Sequence, residues 1–163
     1  MKILLLMRHG KASWKDVKKD EDKLRPLTKK GEKEAKAMGE HLEEKDILPQ
    51  VILTSTARRA RETANVFLAQ CCGEVTFTAL DSLYMAEPPA VIDALKMIPD
   101  SVERVMVIGH NPGLETLLQL MTGKVESLST ASVVYLELPI DSWSAISLDV
   151  NVEKCEKWKP KDE

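Results

Sequence analysis

Three short apolar runs constrain this chain more than any other feature. Residues 2–7 (KILLLM), 51–54 (VILT) and 104–109 (RVMVIG) are apolar without alternation. That is the pattern of strands covered on both faces, as in a parallel sheet. Helix-like stretches separate them. One is expected over 29–44, capped by Thr28, with Ala35, Met38 and Leu42 on its inner face; another covers 57–71, with Ala60, Ala64, Phe67 and Leu68 inward. A third opens at Pro88-Pro89 and runs to residue 98, and a fourth, capped by Asn111 with Pro112 in first position, runs to about 121. A weaker strand is expected at 75–79, and 131–138 and 143–150 read as a hairpin turning at 139–142. Alternation of strand and helix predicts an α/β fold of three layers, a mostly parallel sheet with helices on both faces. The sequence predicts one domain over 1–152, followed by a charged, frayed tail at 153–163.

Composition narrows the function classes. Lys and Arg number 23 against 26 Asp and Glu, a net charge of −3. Binding to a phosphate backbone wants a basic excess or stripe, so no nucleic-acid partner is expected. No apolar stretch approaches the ~20 residues of a membrane helix. The run at 3–7 is too short for a signal core and meets Arg8-His9 directly, so a cytoplasmic chain with no membrane partner is expected. Cys71, Cys72 and Cys155 form neither a disulfide framework nor a zinc spacing; they read as ordinary thiols, with no metal site.

The chemistry gathers where the three runs end. The first leads into Arg8-His9-Gly10, the second into Ser55 and a helix opening with Arg58, Arg59 and Arg61, the third into His110-Asn111-Pro112-Gly113. Sites in open parallel sheets form at the carboxyl ends of strands. If these strands are neighbours, Arg8, His9, His110 and one arginine of 58–61 converge there. Such a cationic group repels itself unless an anion is present, and guanidinium forks match phosphate oxygens. Two helix N-termini would point at the same place. Neutral imidazole is a nucleophile, so a histidine here could carry a phosphoryl group. Gly10 would let the backbone turn tightly beneath it. His41, on the charge-rich helix, reads as a surface residue.

These segments resemble the histidine phosphatase superfamily, whose fold is phosphoglycerate mutase-like. The resemblance rests on Arg8-His9-Gly10 after an N-terminal strand, on the T-S-x-x-x-R-A-x-x-T run from Thr54 to Thr63, and on Gly109-His110-Asn111-Pro112-Gly113. The R-P-L-T-x-x-G run from Arg25 to Gly31, Leu83-Tyr84, and Glu115 after the third motif are similar to the short, SixA-type phosphohistidine phosphatase branch. The resemblance implies His9 as phospho-accepting nucleophile, with Arg8, Arg59, His110 and Asn111 binding the phosphoryl group and His110 acting as an imidazolium. It selects Arg59 because that residue alone precedes the alanine of the pattern. It implies no cofactor, since the cationic side chains supply the charge a metal would bring.

A general acid is the part no motif supplies. Asp81, Glu87 and Glu115 are available, and Glu87 is the candidate, against a plain helix-entry role. An alkoxide leaving group needs such help, whereas imidazole, with a pKa near ~6.5, departs with little. Only fifty residues separate Arg59 from His110, which predicts an open, shallow pocket suited to a phosphorylated side chain on a protein surface. The leading expectation is hydrolysis of phosphohistidine on a partner protein of a phosphorelay or phosphocarrier type. A small-molecule phosphomonoesterase and a phosphoprotein-binding module without turnover are the alternatives. Trp14 stands either at the pocket mouth or as a loop anchor.

Overall fold

The computed structural model describes residues 1–71 and 75–161; Cys72 lies outside them. Strand β1 (Lys2–Arg8) sits inside a six-stranded sheet, flanked by β4 (Arg104–Gly109) in parallel and β5 (Val133–Leu138) antiparallel. Beyond β4 come β2 (Val51–Ser55) and β3 (Thr76–Leu80), both parallel, and beyond β5 comes β6 (Lys154–Trp158), antiparallel. The order is β3-β2-β4-β1-β5-β6. The expected mostly parallel sheet is therefore four parallel strands with an antiparallel edge pair.

Residue alternation along the unbroken apolar strands builds two cores, because successive side chains point to opposite faces. Leu5 and Met7 pack with Ile52, Met106 and Ile108 under α1 (Lys29–Glu44) and α2 (Arg58–Gln70). Leu4 and Leu6 pack with Leu53, Val105 and Val107 under α3 (Pro88–Lys96) and α4 (Gly113–Thr122). Thr28 caps α1, accepting from the Gly31 N–H at 3.0 Å, as its sequence position predicts. Helix α4 ends at Gly123 in the left-handed conformation, φ 75°, where glycine has no steric cost.

The C-terminal third departs from the sequence reading. Residues 143–150 form no strand; a 3-10 turn at Trp143–Ala145 begins after Ser142 instead. Trp143 is fully buried in the α3/α4 core, with its indole N–H donating to Val102 O at 2.8 Å. Burying that large ring against the helices takes precedence over strand pairing. The partner of β5 is β6, inside the stretch expected to fray. Its charges mark an edge strand, where lysines are common, and Trp158 anchors it against the Tyr135 and His41 rings at 5.8 and 5.2 Å. His41 is thus half-buried by an aromatic contact rather than a plain surface residue. Asn111 does not cap α4; Pro112 occupies the cap position and the Asn111 amide donates to Leu128 O at 3.0 Å.

Cys71 is half-buried at the end of α2, and Cys155 is exposed on β6. Among the described residues, no helix is long and apolar enough to cross a membrane, and no cluster of three His, Cys, Asp or Glu side chains is placed to hold a metal.

Candidate active site

Strand register brings the polar ends together. Arg8 pairs with Gly109 across β1 and β4, and Thr54 with Ile108 across β2 and β4. His9, Ser55 and His110 therefore gather at one edge of the sheet, where His9 and His110 line a cavity of about 460 Å³. The glycines of the motifs serve close approach. A Cβ on Gly10 would stand 2.9 Å from Gly31 O, and one on Gly113 only 2.0 Å from Ala86 O. Gly10 is thus needed for packing against the start of α1, not for the tight turn expected of it, since its φ is not positive. Gly113 lets the segment holding Tyr84 and Met85 lie against α4 and line the cavity.

His9 is buried, and its Nδ1 lies 2.7 Å from Gly10 O. A carbonyl only accepts, so Nδ1 carries the proton and Nε2 keeps its lone pair. That lone pair faces Arg59, whose Nε–H donates to it at 3.3 Å. Burial lowers the His9 pKa to about 3 despite the Gly10 bond, and His110, Arg59 and Arg8 add to the effect. The side chain is a neutral imidazole near neutral pH.

His110 stands 5.2 Å from His9, ring centre to ring centre. Arg59 Nη2 donates to its Nδ1 at 3.2 Å, so Nε2–H donates to Ser55 Oγ at 2.6 Å. Burial, then Arg59, lowers its pKa to about 4, with Asp22 opposing. The imidazolium expected at 110 is therefore not the resting form; a proton must arrive with an anion.

Arg59 binds the group together. It is 3% exposed and reaches His9, His110, the Asp22 main-chain oxygen at 2.8 Å and the Asp22 carboxylate at 3.0 Å. Arg58 pairs with Glu62 on the surface, and Arg61 donates to Thr56 O. Structure and pattern thus put the same arginine of the three in the pocket. Thr63, the last residue of that run, accepts from Gly10 N at 3.0 Å and donates to Arg59 O at 2.7 Å. It ties α2 to the turn carrying His9. Arg8 donates to Leu128 O at 2.9 Å, while its Nε is buried without a partner among the described residues. Burial and Arg59 both disfavour the Arg8 charge, and Glu115 supports it.

The carboxylates fall differently from expectation. Glu87 is exposed at the N-terminal cap position of α3 and does not line the cavity. There a carboxylate meets the positive end of the helix dipole. Asp81 is exposed and bound to Thr56, and Glu115 accepts from Leu128 N at 2.7 Å. Among the described residues, the carboxylate lining the cavity is Asp22, which the sequence reading passed over within a run of loop charges. Tyr84 donates to Asp22 in a short hydrogen bond, and Arg25 donates to it at 3.3 Å. Burial works against its charge, but the bonds from Tyr84 and Arg59 outweigh this and hold the carboxyl at about 2. The signal available in advance was indirect: Arg25 and Tyr84 both sat in segments singled out for their resemblance. Trp14 does not line the cavity; it is an exposed ring with the Arg25 guanidinium 4.3 Å above it.

Residues 4–82 match the model of the histidine phosphatase superfamily (branch 1). An uncharacterized chloroplastic protein of Arabidopsis thaliana is 34% identical over 151 residues, covering 86% of this chain and 68% of that one. A 2,3-bisphosphoglycerate-dependent phosphoglycerate mutase of Bifidobacterium longum is 46% identical over 66 residues, 40% of this chain but only 27% of the mutase. The chain thus matches about a quarter of the mutase's length. Among solved structures, a Nakamurella multipartitia protein proposed to be the phosphohistidine phosphatase SixA superposes with a TM-score of 0.78, at 21% identity and 95% of each chain. The protein histidine phosphatase SixA complexed with tungstate superposes at 0.76, with 22% identity over 94% of this chain and 95% of that one. At such identities the likeness is one of fold.

Proposed function

The chain belongs to the histidine phosphatase superfamily, and from that premise we propose that it is a phosphatase working through a phosphoryl group held on His9, acting on phosphohistidine borne by a protein. The observation that carries this reading is the His9 tautomer, with Nδ1–H bound to Gly10 O and the Nε2 lone pair facing the cationic cavity.

Nε2 attacks phosphorus, and the positive charge that develops on the ring is met by the Gly10 carbonyl. Arg8 and Arg59 hold the equatorial oxygens, where charge is spread in phosphoryl transfer. His110 joins them once a proton reaches its Nδ1. Water then attacks the phosphorylated His9 and frees phosphate. Asn111, fixed on Leu128 O, completes the set at the cavity wall.

Asp22 supports the choice of substrate class. Held ionised by Arg59, Arg25 and Tyr84, it has no proton to give a leaving alkoxide. Tyr84, its phenol pKa raised by burial and by Asp22, is a poor acid near neutral pH. A leaving imidazole needs neither. On this reading the partner is a phosphorylated protein met in the cytoplasm, and neither a nucleic acid nor a membrane takes part.

The test is phosphate release from a histidine-phosphorylated phosphotransfer protein beside an aryl phosphate, with His9→Ala as control. Fast release from the phosphohistidine protein, abolished in the variant, is the expected result. Release from the aryl ester alone would point to a small-molecule phosphomonoesterase. Tight binding of the phosphoprotein with no turnover would point to a recognition module.

A further inference from the structure

A carboxylate among phosphate-binding cations is costly: it partly neutralises the arginines and repels a dianionic phosphoryl group. Asp22 stands there nonetheless, in the 3-10 turn Asp22–Leu24. Its Oδ2 accepts from Arg59 and Tyr84 and its Oδ1 from Arg25. An ionised carboxylate offers about four lone-pair sites, so acceptor capacity remains after these three bonds. More is released when phosphoryl oxygens draw on Arg59.

Its position relative to the nucleophile gives the carboxylate a use. His9 and Arg59 are 7% and 3% exposed, whereas the Asp22 side chain is 30% exposed. Arg59 spans them, with its Nε on His9 and its Nη2 on Asp22. All three line one cavity, and Asp22 is the most exposed of them. In-line attack by His9 places the leaving group on the side of phosphorus away from Nε2, in the cavity whose lining carboxylate among the described residues is Asp22.

We propose that Asp22 is a specificity-determining residue, which selects phosphoryl groups attached to a nitrogen heterocycle by accepting a hydrogen bond from the ring N–H of the leaving group. This rests on the phosphatase reading above and names the recognition of its substrate. A phosphorylated imidazole with a proton on its distal ring nitrogen is the reactive form. Asp22 stabilises that proton where it is. As the bond from phosphorus to His9 Nε2 forms, the substrate P–N bond breaks and its electron pair stays on the leaving nitrogen. The ring departs as neutral imidazole, keeping the proton that faces Asp22, and no proton transfer is required. An ester oxygen offers no N–H and meets only the repulsion.

The experiment compares Asp22→Asn with the wild-type protein on phosphoimidazole and on p-nitrophenyl phosphate. Both reactions slow, because Arg59 loses an anchor, but the ratio of kcat/KM for the P–N compound over the ester falls a further 10- to 100-fold, about the worth of a hydrogen bond to a charged group. Asp22→Ser shows the same change of ratio, which guards against a folding defect peculiar to one variant. An unchanged ratio, whether both activities drop together or neither drops, would overturn the proposal and leave Asp22 as a holder of Arg59. A ratio that rises would overturn it as well. Failure of the phosphatase reading looks different: wild-type protein would then release no more phosphate from either compound than His9→Ala.

Discussion

At the scale of single residues, the site is governed by which nitrogen holds a proton. His9 and His110 are both kept neutral by burial and by Arg59, with pKa values of about 3 and about 4. In the unfolded chain each returns to about 6.5. Between those values the unfolded chain binds more protons, so the stability attached to these neutral rings is complete above about pH 6.5. It is lost progressively as pH falls from about 6.5, and the loss is complete only below about 4 for His110 and about 3 for His9. Melting temperature followed from pH 7 to 4.5 should therefore decline, and His9→Asn should decline less steeply. Equal slopes would mean that His9 is protonated in the folded protein. Much of this arrangement was legible in the sequence: strand ends pointed to Arg8, His9, His110 and one arginine of 58–61, the family resemblance selected Arg59 among these, and all four line the cavity. Asp22 was not, because a loop carboxylate with lysines around it reads as solvated, and only the fold brings it against Arg59.

Helices and strands make that arrangement rigid. Residues 2–7, 51–54 and 104–109 announced β1, β2 and β4 because strands buried on both faces must be apolar throughout. These three carry the site. The edge was less legible: β6 is charged and its pairing with β5 is set by Trp158, while 143–150 has strand-like residues but is claimed by the burial of Trp143. Between α2 and β1 the decisive link is Thr63, bonded to both Gly10 and Arg59. Thr63→Val removes both bonds and leaves the buried Gly10 N–H without a partner, at a cost of about 1–3 kcal/mol. It should also lower kcat/KM, because Gly10 positions the His9 tautomer. Urea unfolding and phosphate release measured on the same variant check both halves. A stability loss with full activity would show that His9 is oriented without α2.

For the molecule as a whole, the order β3-β2-β4-β1-β5-β6 sets β4 between β2 and β1. That placement lets three strand ends and the starts of α2 and α4 converge on one cavity. Helices on both faces leave the carboxyl edge of the sheet to be closed by loops, with the 3-10 turn at Asp22 on one side and the Tyr84–Met85 segment on another. The central claim is that this convergence makes His9 a carrier of the phosphoryl group. It is tested by mixing the protein with a phosphotransfer protein labelled with radioactive phosphate on histidine, quenching in alkali within milliseconds to seconds, and mapping the label. The account predicts an acid-labile, alkali-stable phosphate on the peptide containing His9, formed and lost during turnover and absent in His9→Ala, which releases no phosphate. Phosphate release that persists in His9→Ala, or a label on another residue, would contradict it.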